Sequence, residues 1–269
     1  MPSGGSWYET GLWHRLPNDH LMLNADTLAC AQIVEKGDPL RFRTVMAAPL
    51  DVRAKLFPLY AFNVEVSRAP WVTAEPMIAE MRLQWWRDAL EEIAQGGDVR
   101  RHEVATPLAA VLSPKDAQAL DPLIAARRWD CYRDPFEDIE HFQDYVDKTA
   151  GLLMEVCAGI LGVQDAHRAR DLGFGAGLAA FLRAIPALES AGRIPLVDGT
   201  HAGLRQLAQI GLDRMGKPTG HVGPAFWSAI GARQTLRQVI KDPAAVADGR
   251  LDPGVTPWRL MKASALKRI

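Results

Sequence analysis

Residues 59–93 decide the fold of this chain; they read LYAFNVEVSRAPWVTAEPMIAEMRLQWWRDALEEI. In the first part, Leu59, Phe62 and Val66 place apolar side chains on one face of a helix. Pro70 interrupts that helix, because proline disfavours the α conformation in the residue before it. A second run of good helix formers follows and stops at Gly96. The stretch therefore predicts two helices joined by a hinge.

The second of these helices has an unusual composition. Polar and aromatic residues alternate within two turns: Arg82, Gln84, Trp85, Trp86, Arg87 and Asp88. Two adjacent indoles flanked by two guanidiniums cannot all face one core, so at least one side of this helix presents polar groups to a wall or a surface. Adjacent tryptophans more often pack in a core than line a ligand site. A nearby arginine, however, is a natural clamp for a diphosphate or a carboxylate, and both interpretations stay open.

The bulk properties are those of an ordinary soluble globular protein. The chain has 269 residues, of which 48% are hydrophobic and 23% charged. A formal net charge of -1 and the lack of a long basic block argue against a nucleic-acid partner. Three widely spaced cysteines indicate free thiols in a reducing compartment. The sequence shows neither a long apolar run nor the order of a signal peptide, which predicts a cytoplasmic protein.

The rest of the chain reads as further helices. Residues 1–21 have no clean period and are predicted to be a disordered N-terminal extension, with residues 22–269 forming one domain. We find no β alternation and no internal repeat, so the domain is predicted to be all-α, with roughly ten helices. Outside the opening stretch, we expect helices over 25–35, 40–46, 104–112, 114–131, 139–160, 166–188, 202–215, 224–240 and 257–269.

Two patterns that could carry chemistry are weak. Residues 211–220, GLDRMGKPTG, nearly match the sequence motif of a phosphate-binding loop. However, Pro218 occupies the position where Ser or Thr would hold the metal, and no predicted strand precedes the segment. Asp130, Asp134 and Asp138 have the spacing of carboxylates on one helix face, yet Pro135 interrupts the helix they would need. We therefore predict a loop and surface acids, and no metal site.

Four motifs in order resemble the squalene/phytoene synthase family: residues 59–62, 81–93, 145–151 and 172–197. The order and spacing match over roughly residues 25–265. This resemblance implies the isoprenoid synthase fold, a single-domain helical bundle around a deep apolar cavity. It also implies an activity, since active members join two prenyl diphosphates head to head. In those members, two aspartate-rich motifs on facing helices hold Mg²⁺ ions that bind the diphosphates.

The chain departs from the family at both of these motifs. Aligned on Phe62, the first motif's aspartates fall on Ser67 and Trp71. Aligned on Arg183, the second motif's acids fall on Ala184, Ala187 and Leu188. A diphosphate leaves as a multiply charged anion, which only metal ions and guanidiniums can neutralise in an apolar cavity. We therefore predict no catalytic residue, no metal and no cofactor.

Outside these two motifs, the family-like sequence that the chain retains resembles one branch of the family. This branch includes a mitochondrial assembly factor for respiratory complex I and its bacterial relatives. This resemblance implies a non-catalytic factor that binds a prenyl lipid or prenyl diphosphate, or contacts complex I subunits. The candidates for lining or bracing its cavity are the retained polar and aromatic residues: Asn63, Glu65, Arg82, Gln84, Trp85, Trp86, Tyr145, Thr149, Arg183 and Arg193.

Two hypotheses about function follow. In the first, the chain is such a non-catalytic factor, and the basic helix at 257–269 rests on the inner membrane face as a peripheral contact; the alternative for this helix is a plain solvated terminus. In the second, the chain is an active prenyltransferase of isoprenoid biosynthesis that uses Mg²⁺ and rearranged acids, namely Glu65, Asp88 and Glu92.

Overall fold

The computed structural model describes residues 24–163, 165–217 and 223–266, and the predicted extension at 1–21 lies outside them. Within these ranges the chain is helical and contains no strand, which confirms the all-α prediction. The α-helices are α1 (Ala25–Gly37), α2 (Pro39–Met46), α3 (Leu50–Arg68), α4 (Pro76–Gln95), α5 (Ala105–Ala109), α6 (Pro114–Arg127), α7 (Ile139–Val146), α8 (Leu152–Ile160), α9 (Ala166–Ser190), α10 (His201–Met215), α11 (Ala232–Lys241), α12 (Ala244–Ala247) and α13 (Pro257–Leu266).

Local capping chemistry fixes several helix starts. The side chain of Asn24 accepts a hydrogen bond from the Thr27 backbone and begins α1. Ser113 and Asp116 form a reciprocal capping box at the start of α6, with a proline in its first turn. Such caps satisfy backbone N–H groups that have no partner inside the helix. These starts are where the sequence places them.

The hinge in the opening stretch is also confirmed. Helix α3 ends at Arg68 and continues as a 3₁₀ turn over Ala69–Trp71. Helix α4 then begins at Pro76 and ends at Gln95, followed by the cap residue Gly96, whose φ of 67° lies in the left-handed region that glycine adopts readily. The two helices therefore diverge at the position of the family's first acidic motif.

Three predicted helices differ from the observed ones. The segment 139–160 is divided by a π-helical turn, Asp147–Gly151, between α7 and α8. The segment 224–240 is a 3₁₀ turn, Pro224–Ala229, followed by a break at Gly231. Gly231 has a φ of 89°, and a Cβ there would lie 2.0 Å from the Pro253 carbonyl oxygen, so no continuous helix can pass. The segment 104–112 is reduced to the single short helix α5.

Helix α9 runs through the centre of the bundle, where it packs against the π turn and helices α8, α10 and α11. In the described ranges, one helix is long and apolar enough to cross a membrane, His167–Ser190, and 44% of its most apolar window is buried inside the protein. It is this same central helix. The three cysteines, Cys30, Cys131 and Cys157, are buried and free, as predicted.

Helix α13 packs onto the outside of the bundle. Its Leu260 and Ala263 are buried beside Ala48, Trp227 and Ile230 in a small second core. The predicted tail helix is therefore confirmed over Pro257–Leu266, and 267–269 lie outside the described residues. One face of this helix is occupied by the protein itself.

Candidate functional site

A cavity of about 130 Å³ lies between α2, α3, α8 and α9. One wall is the small-residue face of α9, where Gly173, Ala176, Gly177 and Ala180 leave the space open. Leu153 and Met154 of α8 add apolar surface, and the polar lining comes from Asp38, Arg41, Thr44, Tyr60, Arg183 and Ser228. Most of this polar set was not predicted from the sequence. Tyr60 lies inside the LYAF motif, and this motif was the feature of the sequence that could have pointed to the cavity lining.

Two arginines give the cavity its charge. Arg41 Nη1 lies 2.6 Å from Asp38 Oδ2, and its guanidinium lies 4.8 Å above the Tyr60 ring. Arg183 has no hydrogen bond or ion pair within the described part of the chain. Burial lowers the pKa of Arg183 from its usual value, although Asp38 and Asp252 act in the opposite direction. The cavity therefore holds one paired guanidinium and one unpaired guanidinium.

One polar residue of the cavity lining, Tyr60, contacts the thiol of Cys157, which is not itself part of the lining. The Tyr60 hydroxyl and the Cys157 thiol lie 3.3 Å apart and are buried. Burial raises the pKa of Cys157 to about 11 and that of Tyr60 well above its usual value. Neither group is therefore ionised at neutral pH, and neither is activated as a nucleophile.

The residues at the positions of the family's first acidic motif make contacts within the protein that involve no metal ligand. The Ser67 hydroxyl donates to the Val64 carbonyl at 3.0 Å, within its own helix. The guanidinium of Arg193 lies 5.0 Å from the centre of the Trp71 ring. The face of an indole carries partial negative charge, so Trp71 stabilises this arginine without providing a metal ligand.

The positions of the second motif hold no carboxylate either, since Ala184, Ala187 and Leu188 occupy them on α9. In residues 24–163, 165–217 and 223–266, no group of three or more His, Cys, Asp or Glu side chains could hold a metal ion. Asp130 and Asp138, whose spacing resembled that of metal ligands, have structural contacts. Asp138 is exposed and caps α7. The prediction of a surface acid is wrong for Asp130, which is buried because it pairs with Arg127 and Tyr145.

A buried polar network joins α6, α7 and the segment after α9. Arg127 donates to the Tyr145 hydroxyl at 2.6 Å, and that hydroxyl donates to Asp130 at 2.9 Å. Arg193 donates to the Asp130 carbonyl, while Thr149 bonds back to the Tyr145 carbonyl at 2.7 Å. Tyr145, Thr149 and Arg193 thus brace α6, α7 and the segment after α9. The spacing of three residues predicts Arg127 as a surface partner of Asp130; the pair forms, but it is largely buried.

The double tryptophan packs against α3 and the loop after α4. Trp86 is buried, with its ring 5.4 Å from Phe62, and His102 lies 4.8 Å from Trp85. On the outer side of α4, Arg82 is exposed, and Gln84 donates to Asp88 at 2.7 Å. The polar wall expected from the sequence therefore faces outward, while its indoles reach the core.

The last two candidates lie on α3, where Asn63 is buried and Glu65 is 3.7 Å from Arg68. Of the ten candidate residues, Arg183 lies in the wall of the 130 Å³ cavity; a ligand-binding role for the others stays a prediction. The two acids left in the alternative hypothesis are Asp88, which accepts from Gln84, and Glu92. Hydrogen bonds from Arg100 lower the pKa of Glu92 to about 2.

Known proteins resemble this chain in sequence. The profile of the squalene/phytoene synthase family matches residues 34–208. The Drosophila melanogaster protein named NADH dehydrogenase (ubiquinone) complex I, assembly factor 6 homolog is 30% identical over 189 residues, which cover 64% of this chain and 55% of that protein. Assembly factor 6 of Homo sapiens is 26% identical over 163 residues, covering 58% and 48%. The chain thus spans about half the length of these relatives.

Solved structures resemble it in fold. A dehydrosqualene synthase in complex with a ligand superimposes with a TM-score of 0.65 at 16% identity, covering 89% of this chain and 95% of that one. The squalene synthase HpnC from Alicyclobacillus acidocaldarius gives a TM-score of 0.57 at 17% identity, covering 88% and 92%. On the profile match and this helical architecture, the chain belongs to the squalene/phytoene synthase family and has its isoprenoid synthase fold.

Proposed function

We propose that this chain is a non-catalytic member of the family that binds the polar end of a prenyl lipid and acts in the assembly of respiratory complex I. The observation that carries the proposal is the chemistry of the five acid positions. Ser67 bonds within its own helix, Trp71 stacks on Arg193, and α9 contributes two alanines and a leucine. None of these groups can hold the Mg²⁺ that ionisation of a prenyl diphosphate requires.

The size of the cavity also supports a non-catalytic role. Small-molecule sites typically measure about 300–1,000 Å³, whereas this cavity measures about 130 Å³. Two prenyl chains cannot lie side by side in such a volume, but one polar head group can. Arg41 and Arg183 would donate to that head group, because Arg183 has no competing partner within the described residues and Arg41 has a buried Nε with no hydrogen bond.

The link to complex I is supported by relatives named as its assembly factors. For the membrane contact, we propose that α13 lies on the inner membrane face through Trp258 and Met261, which are exposed although Leu260 is buried. Co-sedimentation with vesicles should weaken in Trp258→Ala.

The absence of catalysis is tested with purified protein, Mg²⁺ and farnesyl or geranylgeranyl diphosphate. We expect pyrophosphate release no faster than in a blank without protein. Steady turnover would overturn the proposal, and its loss in Glu65→Gln or Glu92→Gln would favour an active prenyltransferase with rearranged acids instead.

Lipid binding is tested by native mass spectrometry of protein purified from its own host. We expect a co-purifying prenyl lipid in the wild type and at least a tenfold lower occupancy in Arg183→Leu. The matched control is Arg237→Gln, an arginine on α11 that lies outside the cavity lining, which should keep the lipid. Wild-type protein that carries no lipid contradicts this part of the proposal.

The assembly role is tested separately by deleting the coding sequence and resolving respiratory complexes on native gels. We expect loss of complex I and its restoration by the wild-type chain. A deletion strain that builds complex I at a normal level contradicts an assembly role.

A further inference from the structure

A second, larger depression lies at the outer end of α3. It measures about 550 Å³ and is bounded by the hinge between α3 and α4, the turn after α6 and the segment after α9. We call it the hinge groove and define it by Trp71, Val72, Tyr132, Arg133 and Arg193. No residue lines both this groove and the 130 Å³ cavity, so the two depressions are separate.

The hinge groove carries positive charge that is not neutralised. Both charged residues in its lining are arginines, Arg133 and Arg193, and no Asp or Glu lines it. Nη2 of Arg193 donates to the Asp130 carbonyl, whereas its Nη1 is buried and has no hydrogen bond to a described residue. Arg133 makes no ion pair with any carboxylate in the described ranges. The two arginines therefore leave the groove with a positive charge, which favours an anionic group there.

The rim of the groove is apolar and exposed. Trp71 is 45% exposed, and the first two turns of α4 add Met77 at 70% and Met81 at 67%. Exposed apolar side chains beside a concave site suit it to a partner, and methionine adapts to partners of different shape. Glu75, between the groove and these methionines, is exposed and would be repelled by an anionic lipid surface.

We propose that the hinge groove docks an extended segment of a partner protein that carries one carboxylate side chain flanked by apolar residues. The carboxylate accepts hydrogen bonds from the exposed guanidinium of Arg133 and is attracted by the positive charge of Arg193. The flanking side chains cover Trp71 and Met77. A protein segment fits better than a membrane because the charge lies inside a concave site, which a flat lipid surface cannot fill. The inference does not depend on what the α9 cavity binds.

A displayed library of random dodecapeptides, selected on the immobilised full chain, tests this directly. We expect the enriched peptides to share an Asp or Glu between apolar residues. The tightest of them is then synthesised with a fluorophore and measured by anisotropy. Changing its acid to the amide should weaken binding about 10-fold or more, which corresponds to about 1.4 kcal/mol per factor of ten.

Variants of the protein locate the site. Arg133→Gln and Ala74→Glu both change exposed residues of the lining, and each should weaken binding about 10-fold while melting temperatures stay at the wild-type value. Arg237→Gln, on α11, is the matched control and should bind as the wild type does. Arg193 is left intact, because it also supports the Asp130 carbonyl.

Three results would overturn the proposal. The first is a selection that enriches no peptide, or peptides without an acid. The second is equal weakening by Arg133→Gln and Arg237→Gln. The third is tight binding to vesicles of phosphatidylcholine and phosphatidylglycerol that Arg133→Gln abolishes while no peptide binds, since this would make the groove a lipid contact.

Discussion

Gly173, in the N-terminal half of α9, is the position where one added methyl group should best test how closely α9 packs against the π turn. A Cβ built there would lie 2.6 Å from the Ala150 carbonyl oxygen, 2.8 Å from the Met154 Cβ and 2.9 Å from the Gly151 Cα. Two of these three atoms belong to the backbone of the π turn. They cannot rotate away as the end of a flexible side chain could, so α9 and the π turn would have to separate.

The size of the effect follows from this geometry. Ordinary contact begins at 3.4 Å, so relief of the closest approach needs 3.4 minus 2.6, or 0.8 Å, of movement. Overpacking a close-packed core costs about 1–3 kcal/mol, while replacing a helix-interior glycine with alanine returns about 1 kcal/mol. Because the obstacle is backbone, we expect the cost to lie at the upper end. Gly173→Ala should therefore lower the unfolding free energy by about 1–2 kcal/mol and the melting temperature by about 2–4 °C.

Urea unfolding followed by far-ultraviolet circular dichroism measures this difference, and Gly159→Ala is the matched control. A Cβ at Gly159, in α8, meets only Asp116 Oδ1 at an ordinary 3.6 Å. That variant should gain about 0.5–1 kcal/mol from helix propensity alone. If Gly173→Ala is as stable as the wild type or more stable, the close approach of α9 to the π turn is not as described.

Three further predictions concern charges and caps. Asp147→Asn removes the shared partner of Arg170 and Arg214 and should cost about 2 kcal/mol in urea unfolding at pH 7. Burial alone would raise the pKa of Asp147, but hydrogen bonds from the two arginines hold it below its usual value. The stabilising contribution of Asp147 is therefore complete above about pH 4 and is lost as pH falls through its folded-state pKa. The unfolding free energies of the wild type and the variant should consequently become equal in acid. Ser113→Ala, which removes the cap of α6, should lower the unfolding free energy by about 1 kcal/mol in the same assay. Carboxyl-detected NMR should find the Glu92 midpoint at about 2, and a midpoint near the usual value of about 4.3 would contradict its hydrogen bonds.

The parts of the fold that sequence predicted are those that local chemistry determines. Asn24, Ser113 and Gly96 act on the backbone within a few residues of themselves, so their effect does not depend on the tertiary structure. The small residues of α9 can likewise be read from the sequence, and such residues let a second helix approach closely. What they pack against was not predictable, because the partner is a carbonyl of the π turn at Ala150.

The π turn and the cavity lining could not be predicted because they depend on contacts between distant segments. Asp147, at the start of that turn, bonds to Arg170 and Arg214, and the latter lies 67 residues further along the chain. Similarly, Arg41 and Arg183 reach one cavity from opposite parts of the sequence. The resemblance to a family identified retained side chains, but it could not separate those that line the cavity from those, such as Tyr145, that brace the helices around it.

The labelling rate of the buried Cys157 thiol, which contacts Tyr60 of the cavity lining, can report ligand binding. Because the pKa of Cys157 is raised to about 11 and Tyr60 covers its sulfur, a maleimide can modify it only in molecules whose bundle has opened. A ligand that binds the closed form slows this labelling by the factor one plus its concentration divided by its Kd. Cys30, buried in α1, is the internal comparison: equal slowing of both thiols means that they are exposed by the same global opening, whereas slowing of Cys157 alone means that its exposure requires the cavity to open. Slower labelling of Cys157 therefore detects a ligand in the cavity before the chemical structure of that ligand has been determined.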